Sequence, residues 1–196
     1  GDPTRRGVVS TATYEARKFG IRSAMPLRTA HQLCPQAVFL PVDGPHYLAA
    51  SAEVMAALRG LEWGGVPVVL EVLGWDEAFL GAGEGHGVLG DPWDMAMVVR
   101  SAVLERTRLH CSVGIGDTKV RAKVATELGK PRGTFKLTRD TWFDVMGTRP
   151  TKDLWGVGPR ISQRLSGLGV QTVRQLADAE DALLATEFGP QSGPWL

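Results

Sequence analysis

Residues 74–80 read Gly-Trp-Asp-Glu-Ala-Phe-Leu, and their two adjacent carboxylates, Asp76 and Glu77, decide how the rest of the chain is interpreted. The pair interrupts a segment, Val66 to Leu80, that is otherwise mostly apolar and typical of β-strands. Neighbouring strand residues point to opposite faces, but a bend at Gly74 would bring both acids to the same end of a sheet. Because carboxylates are costly to desolvate without partners, the segment is a candidate functional site.

Hard divalent cations are natural partners for such a pair. In proteins, Mg²⁺ takes one or two carboxylates and completes its coordination with water and substrate phosphates. The seven residues are equally compatible with an acidic hairpin tip in water. Both interpretations stay open until the rest of the chain is considered.

The composition is that of a soluble globular protein. The chain has 196 residues, of which 43% are hydrophobic and 22% charged, enough for one large domain or two small ones. Its apolar runs are too short to cross a membrane, and the first residues carry no signal-peptide pattern. Cys34 and Cys111 are far apart and outside any Cys/His cluster, which disfavours a zinc site or disulfide framework. The sequence therefore predicts a cytoplasmic protein.

Charge is unevenly distributed along the chain. Residues 1–118 carry a net charge of −3, residues 119–174 a net charge of +8 and residues 175–196 a net charge of −4. A basic block of this density favours a nucleic-acid or phosphate surface over a merely solvated face. The chain also begins without Met, directly before a strand-like run, so we expect it to be a piece of a longer protein.

The pattern along the chain predicts an α+β region followed by an all-α segment, with a boundary near residue 138. Strands are predicted over residues 8–13, 37–41, 110–115 and 134–137. Three helices are predicted to begin after the capping residues Asp43, Asp91 and Asp117. A glycine-rich loop is predicted between residues 81 and 90.

Two other segments contain groups that could bind a phosphate. Residues 112–119 have neither the Walker spacing nor a GxGxxG pattern, so a plain strand–turn–helix is the better interpretation, and the N-terminus of its helix could still bind an anion. The loop Gly129–Gly133 carries two cations that would suit phosphate or water equally well.

The turn Gly156-Val157-Gly158 is a stronger signal. Its backbone N–H groups can point outward together as an anion-binding concavity, with a helix beginning at Pro159. Lys152, Arg160 and Arg164 would supply charge for a DNA phosphate. The segment resembles a helix-hairpin-helix motif, which grips duplex backbones without reading sequence; the alternative is a simple packing turn.

Five collinear segments together resemble the Y-family translesion DNA polymerases, in the DNA polymerase IV branch. They are residues 11–20 (Thr-Ala-Thr-Tyr-Glu-Ala-Arg-Lys-Phe-Gly), 74–80, 112–123, 130–133 (Lys-Pro-Arg-Gly) and 156–158. The resemblance implies a polymerase palm sheet with small α/β fingers, followed by an all-α helix-hairpin-helix thumb. It assigns partial fingers to residues 1–45, the palm to residues 46–137 and a partial thumb to residues 138–196.

The resemblance also implies roles. Asp76 and Glu77 match the second acidic motif of the family, which ligates two catalytic Mg²⁺ ions, and Mn²⁺ can substitute. The incoming deoxynucleoside triphosphate would be contacted by Tyr14, Arg17 and Lys130, with Thr11 beside them. The primer-template DNA would be contacted by Lys152, Gly156, Gly158, Arg160 and Arg164. A sliding clamp would bind through a region C-terminal to this chain.

The chain departs from the family pattern in two ways. It has Gly74-Trp75 where the family usually has Ser-Ile before the acidic pair, and Phe79 where the family has Tyr. The family strand that carries another metal-binding aspartate and the aromatic gate against ribonucleotides should precede Arg5 and is not in this sequence. The expected function is therefore template-directed DNA synthesis past damaged bases in the intact protein, with this piece inactive by itself.

Two other functions are alternatives to DNA synthesis. A non-catalytic DNA-binding module would use only the basic helical segment and would gain nothing from Asp76 and Glu77 near a polyanion. A glycosylase would place a catalytic Asp or Lys shortly after the hairpin, and no acidic residue lies between Asp153 and Asp178.

Overall fold

The computed structural model describes residues 1–83, 85 and 89–196, so part of the predicted glycine-rich loop lies outside the described residues. The chain divides into two compact units, residues 1–50 and residues 51–196. The finer division into fingers, palm and thumb stays a prediction.

The first unit is built from short helices. Its elements are α1 (Tyr14–Lys18), α2 (Leu27–Leu33) and the beginning of α3 (Gly44–Arg59). Its core consists of Val9, Ile21, Leu27, Ala30 and Cys34.

The strands predicted over residues 8–13 and 37–41 are wrong. Val8 forms only an isolated bridge with Pro26, and the backbone of Val9 hydrogen-bonds to the turn at Ala24 and Met25. Residues 37–41 run without regular secondary structure, and Val38 in that segment is 84% exposed. A β-branched sequence forms a strand only where a partner strand accepts its ladder hydrogen bonds, and the described residues provide none here.

The second unit begins with β1 (Glu62–Trp63), β2 (Val66–Pro67), β3 (Val69–Val72), β4 (Ala78–Gly81) and α4 (Pro92–Thr107). It continues with β5 (Val113–Gly116), α5 (Lys119–Leu128) and β6 (Thr134–Leu137). The described elements that follow are α6 (Trp142–Met146), a 3₁₀ turn (Thr151–Asp153), α7 (Pro159–Gly167), α8 (Val173–Ala177) and α9 (Asp181–Phe188). The change from mixed to helical structure after β6 agrees with the sequence pattern.

Two of the sheet pairs position the candidate site. β3 and β4 pair antiparallel, with Val72 opposite Ala78 at the end of the ladder. β5 and β6 pair parallel, with Gly114 opposite Phe135, and α5 connects them as a βαβ unit. A Cβ at Gly114 would overlap the carbonyl oxygen of Ala122 and the amide of Thr126, so only glycine lets α5 lie this close to β5.

Two of the three predicted helix caps are confirmed. The carboxylates of Asp43 and Asp91 accept hydrogen bonds from the backbone N–H groups of His46 (3.1 Å) and Trp93 (3.0 Å), respectively. The third is wrong, because Thr118 caps α5 through its hydroxyl.

Asp117 instead joins two other segments. Its carboxylate accepts from the backbone N–H of Arg139 (2.9 Å) and from the guanidinium of Arg121 (2.8 Å). These two donors hold the pKa of Asp117 below its usual value. The side chain therefore ties the start of α5 to the segment after β6.

None of the helices in the described part of the chain has both the length and the apolar character needed to cross a membrane.

Candidate functional site

The acidic pair lies in the turn between β3 (Val69–Val72) and β4 (Ala78–Gly81), which is the hairpin-tip position that the sequence left open, and not within a strand. The carbonyl oxygen of Glu77 accepts hydrogen bonds from the N–H groups of Leu73 (2.9 Å) and Gly74 (3.3 Å), which closes the turn. Asp76 is exposed and Glu77 is half-buried. A turn leaves both carboxylates in contact with water, so the desolvation cost of a mid-strand position does not arise.

Helix α5 contacts this hairpin through two lysines one turn apart. Lys119 pairs with Glu71 on β3, and Lys123 pairs with Glu77. The side chain of Lys123 is 15% exposed, whereas that of Glu77 is 43% exposed. The sequence did not single out either pair, because the partners are separated by more than forty positions and only the fold brings them together.

The donor set of the acidic pair fits a hard divalent cation. Asp76 and Glu77 offer carboxylate oxygens in a solvent-accessible turn, which is what Mg²⁺ uses together with water and substrate phosphates. Among the residues that the structure describes, no three or more Asp, Glu, His or Cys side chains cluster closely enough to hold a metal by themselves. A cation at this turn would therefore take its other ligands from water, from a substrate or from residues outside the described part of the chain.

Three of the predicted nucleotide-binding residues lie in the first unit. The hydroxyl of Thr13 caps α1 by accepting from the N–H of Ala16 (3.3 Å). Arg17 on this helix donates from Nε to the carbonyl oxygen of Ala12 (3.0 Å), which fixes its stem. Tyr14 and Thr11 are exposed. Arg17 lies in the last turn of α1, and its hydrogen bond directs the guanidinium back toward the residues that precede the helix.

Lys130, the fourth predicted nucleotide-binding residue, lies in the second unit, and its approach to the other three stays a prediction. It is exposed and pairs with Glu127. Its loop is anchored by Arg100 of α4, which donates from Nη2 to the carbonyl oxygen of Arg132 (2.6 Å). The sequence did not predict this contact, because Arg100 and Arg132 are 32 positions apart and no local pattern links them.

The predicted DNA-binding turn connects the 3₁₀ turn to α7. Gly156 has a φ of +94°, a conformation that favours glycine, and Val157 anchors the turn in the core. In the described part of the chain, the N–H groups of Gly156 and Gly158 donate to no backbone acceptor. The aromatic ring of Trp195 lies over Gly156, where an added Cβ would meet it at 3.2 Å.

The three predicted DNA-binding cations differ in their surroundings. Lys152 and Arg160 are exposed on either side of the turn. Arg164 donates from Nε to the carboxylate of Glu187 (2.7 Å), and its guanidinium lies 4.4 Å from the ring centroid of Phe188. Arg164 therefore joins α7 to α9, a packing role that the sequence did not predict.

A groove of about 510 Å³ separates α5 from the Gly156–Gly158 turn. Lys123 and Glu127 lie on the α5 side, and Lys152, Trp155 and the turn itself lie on the other. The ring of Trp155 meets that of Phe79 edge-on, with centroids 6.4 Å apart. The groove is thus adjacent both to the partner of Glu77 and to the predicted DNA-binding turn.

Comparison with known proteins identifies the family. The profile of the impB/mucB/samB family matches residues 1–127. The chain belongs to this family. The resemblance to Y-family DNA polymerases of the DNA polymerase IV branch is confirmed, since relatives with that name match along the whole chain.

Two relatives illustrate the similarity. DNA polymerase IV 2 of Mycobacterium tuberculosis (strain H37Rv) is 50% identical over 197 residues, which cover 100% of this chain and 55% of the relative. DNA polymerase IV of Treponema denticola is 37% identical over 196 residues, or 48% of its length. The chain therefore spans about half the length of the curated relatives it matches.

Solved structures of the family have the same fold. DinB from Sulfolobus solfataricus superposes with a TM-score of 0.80 at 27% identity, over 97% of this chain and 55% of that one. An insertion ternary complex of Dbh DNA polymerase gives a TM-score of 0.78 over 97% of this chain and 54% of its own. The mixed helix-and-strand fold predicted from the sequence is therefore confirmed as that of a Y-family polymerase.

Proposed function

We propose that this chain is part of the catalytic core of a DNA-directed DNA polymerase that copies past damaged bases. The observation that carries the proposal is the pair of adjacent carboxylates at the β3–β4 turn, Asp76 exposed and Glu77 half-buried, in a chain that belongs to the impB/mucB/samB family. Two divalent cations, Mg²⁺ or Mn²⁺, would be held there with the help of substrate phosphates. When bound, such ions activate the primer 3′-hydroxyl and stabilise the leaving pyrophosphate.

The other residues would bind and orient the two substrates. Arg17 and Lys130 carry cationic groups for the oxygens of the triphosphate, and Tyr14 and Thr11 offer hydroxyls. The turn Gly156–Gly158, with Lys152 and Arg160, would hold the DNA backbone as a helix-hairpin-helix does, by phosphate contacts alone. Binding of a sliding clamp and a cytoplasmic location also remain predictions for the complete protein.

A second candidate function is favoured by one observation. In this structure the carboxylate of Glu77 is neutralised by Lys123, as expected for an acid with a structural role. A protein that only binds DNA would keep Glu77 as the structural partner of Lys123 and would need no cation at the turn. The two functions differ in whether nucleotides are added to a primer.

The proposed function can be tested with a chimeric polymerase, called the graft below. Residues 1–196 replace the matching 197 residues of the Mycobacterium tuberculosis relative, which supplies the flanking segments. The polymerase proposal expects the graft to extend a primer with Mg²⁺ and all four deoxynucleotides. DNA binding without extension, beside an active unaltered relative, would favour the binding module.

Nucleotide affinity should depend on three separate side chains. In the graft, Arg17→Ala and Lys130→Ala should each weaken deoxynucleotide binding by about tenfold or more, because a charge-assisted hydrogen bond contributes about 1.5–3 kcal/mol. Tyr14→Phe should have a smaller effect in the same direction. The measurement is the concentration dependence of single-turnover incorporation. Lys18→Ala, on the same helix, is the matched control, and a residue whose removal changes affinity no more than this control has no role at the triphosphate.

DNA binding should be salt-dependent and indifferent to sequence. The dependence of log affinity on log salt concentration should flatten by about two units when Lys152 and Arg160 are both replaced by alanine, because each phosphate contact releases counterions. Arg164→Ala should instead lower the melting temperature and leave the slope nearly unchanged, since its guanidinium binds Glu187. Fluorescence anisotropy at several salt concentrations measures the slope. An unchanged slope in the double variant would locate the DNA contacts elsewhere.

A further inference from the structure

Lys123 is placed between the acidic pair and the groove. Its ammonium binds the carboxylate of Glu77, and its side chain is the least exposed cation among the ion pairs of the described residues. The same residue lines the groove whose other wall holds Lys152, Gly156 and Gly158. A half-buried ammonium needs an anionic partner, because an unpaired buried charge is strongly unfavourable.

We infer that Lys123 exchanges partners during the working cycle: it binds Glu77 while the acidic pair is free of metal, and binds a DNA backbone phosphate in the groove once a divalent cation takes Glu77. This inference rests on the proposed function, which supplies both the cation and the DNA. A bound cation would neutralise the carboxylate of Glu77 and repel the ammonium of Lys123. A DNA phosphate in the groove that Lys123 lines would then offer this ammonium another anionic partner.

The exchange couples two binding events. Each ligand would strengthen the binding of the other by the same factor, since coupling free energies are reciprocal. The neighbouring pair provides an internal comparison. Lys119 sits one turn earlier on α5, binds Glu71 and does not line the groove. Release of Lys119 should therefore add nothing to DNA binding.

The exchange can be tested without metal, by freeing Lys123 through its partner. Glu77→Gln and Asp76→Asn each remove one negative charge from the same turn, but only the first releases Lys123. In chelator-containing buffer, primer-template DNA is titrated into the 196-residue protein at several salt concentrations. We expect the salt slope of Glu77→Gln to exceed that of Asp76→Asn by about one unit, which corresponds to one additional phosphate contact.

Two further variants test whether Lys123 makes that additional phosphate contact. The double variant Glu77→Gln/Lys123→Met should return to the slope of Asp76→Asn, and Glu71→Gln should match Asp76→Asn although it releases Lys119. Lys123→Gln serves in place of Lys123→Met if the latter fails to give a wild-type circular dichroism spectrum. Equal slopes for Glu77→Gln and Asp76→Asn, or an excess that persists without Lys123, would overturn the exchange.

Cation binding gives an independent readout. Calorimetric titration of Mn²⁺ into the free protein should show Lys123→Met binding several-fold more tightly than wild type, and Lys119→Met binding as wild type does. Tighter binding in neither variant or in both would overturn the inference. A wild-type protein that binds neither DNA nor Mn²⁺ would overturn the proposed function as well, whereas binding of both without coupling would overturn the exchange alone.

Discussion

Asp76→Asn in the graft is expected to lower the rate of nucleotide addition at least about a thousandfold, equivalent to about 4 kcal/mol of transition-state stabilisation. The substitution keeps the shape of the side chain and removes the charge that would hold a cation at the β3–β4 turn. DNA affinity should be unchanged or slightly higher, because a negative charge beside a polyanion is lost. Single-turnover extension and anisotropy measure the two quantities separately.

Glu71→Gln is the matched control for this prediction. Glu71 lies on the same hairpin, but its carboxylate is bound by Lys119. We expect this variant to keep most of the activity. Near-normal extension by Asp76→Asn would remove Asp76 from the reaction, and an equal loss in Glu71→Gln would show that Glu71 belongs to the site.

Gly114→Ala is expected to lower the free energy of unfolding by about 3 kcal/mol or more. A methyl group at this position would overlap the backbone of Ala122 and Thr126, and backbone atoms of a helix cannot move aside as a flexible side chain can. To accommodate it, α5 would have to move away from β5, and Lys119 and Lys123 would move with it. Urea denaturation of the 196-residue protein measures the loss.

Gly167→Ala is the comparison for that measurement. A Cβ at Gly167 in α7 meets nothing within 4 Å, so the change should leave stability unchanged or raise it slightly through better helix propensity. Similar losses at both positions would mean that the close packing of α5 on β5 does not contribute specially to stability.

Sequence patterns predicted those features that depend on neighbouring residues. The caps Asp43 and Asp91, the glycine turn before Pro159 and the strand at residues 134–137 all follow from local chemistry, and the structure contains them. The collinear motifs predicted the family, because their order along the chain is far more specific than any one of them. Fold class and family were therefore accessible without a structure.

Features that depend on tertiary contacts could not be predicted from the sequence. The strand predicted over residues 8–13 fails because its hydrogen bonds go to a turn at residues 24–26. Asp117 was expected to cap α5, but its carboxylate binds Arg139 and Arg121, while the next residue supplies the cap.

The cations around the site show the same limit. The sequence predicts Arg164 as a DNA contact and gives Lys123 no role of its own, and their carboxylate partners Glu187 and Glu77 are known only once the helices are packed. Charge counting predicts how many cations a segment has. It does not predict which of them an internal carboxylate already binds.

The 196-residue protein alone is expected not to extend a primer. Asp76 and Glu77 supply two carboxylates, and the described part of the chain holds no group of three or more metal-binding side chains. Two-metal transfer requires both ions to be held between the attacking and leaving oxygens, about 4 Å apart. Primer extension with Mg²⁺ and then with Mn²⁺ measures this, and robust extension by the 196-residue protein would mean that another residue completes the site.

The most direct test of the account is primer extension by the graft on two templates, one undamaged and one carrying an abasic site. The account predicts extension on both, loss of both in Asp76→Asn and retention of both in Glu71→Gln. A graft that binds DNA and nucleotide as the unaltered relative does, yet adds no nucleotide to either primer, would contradict it.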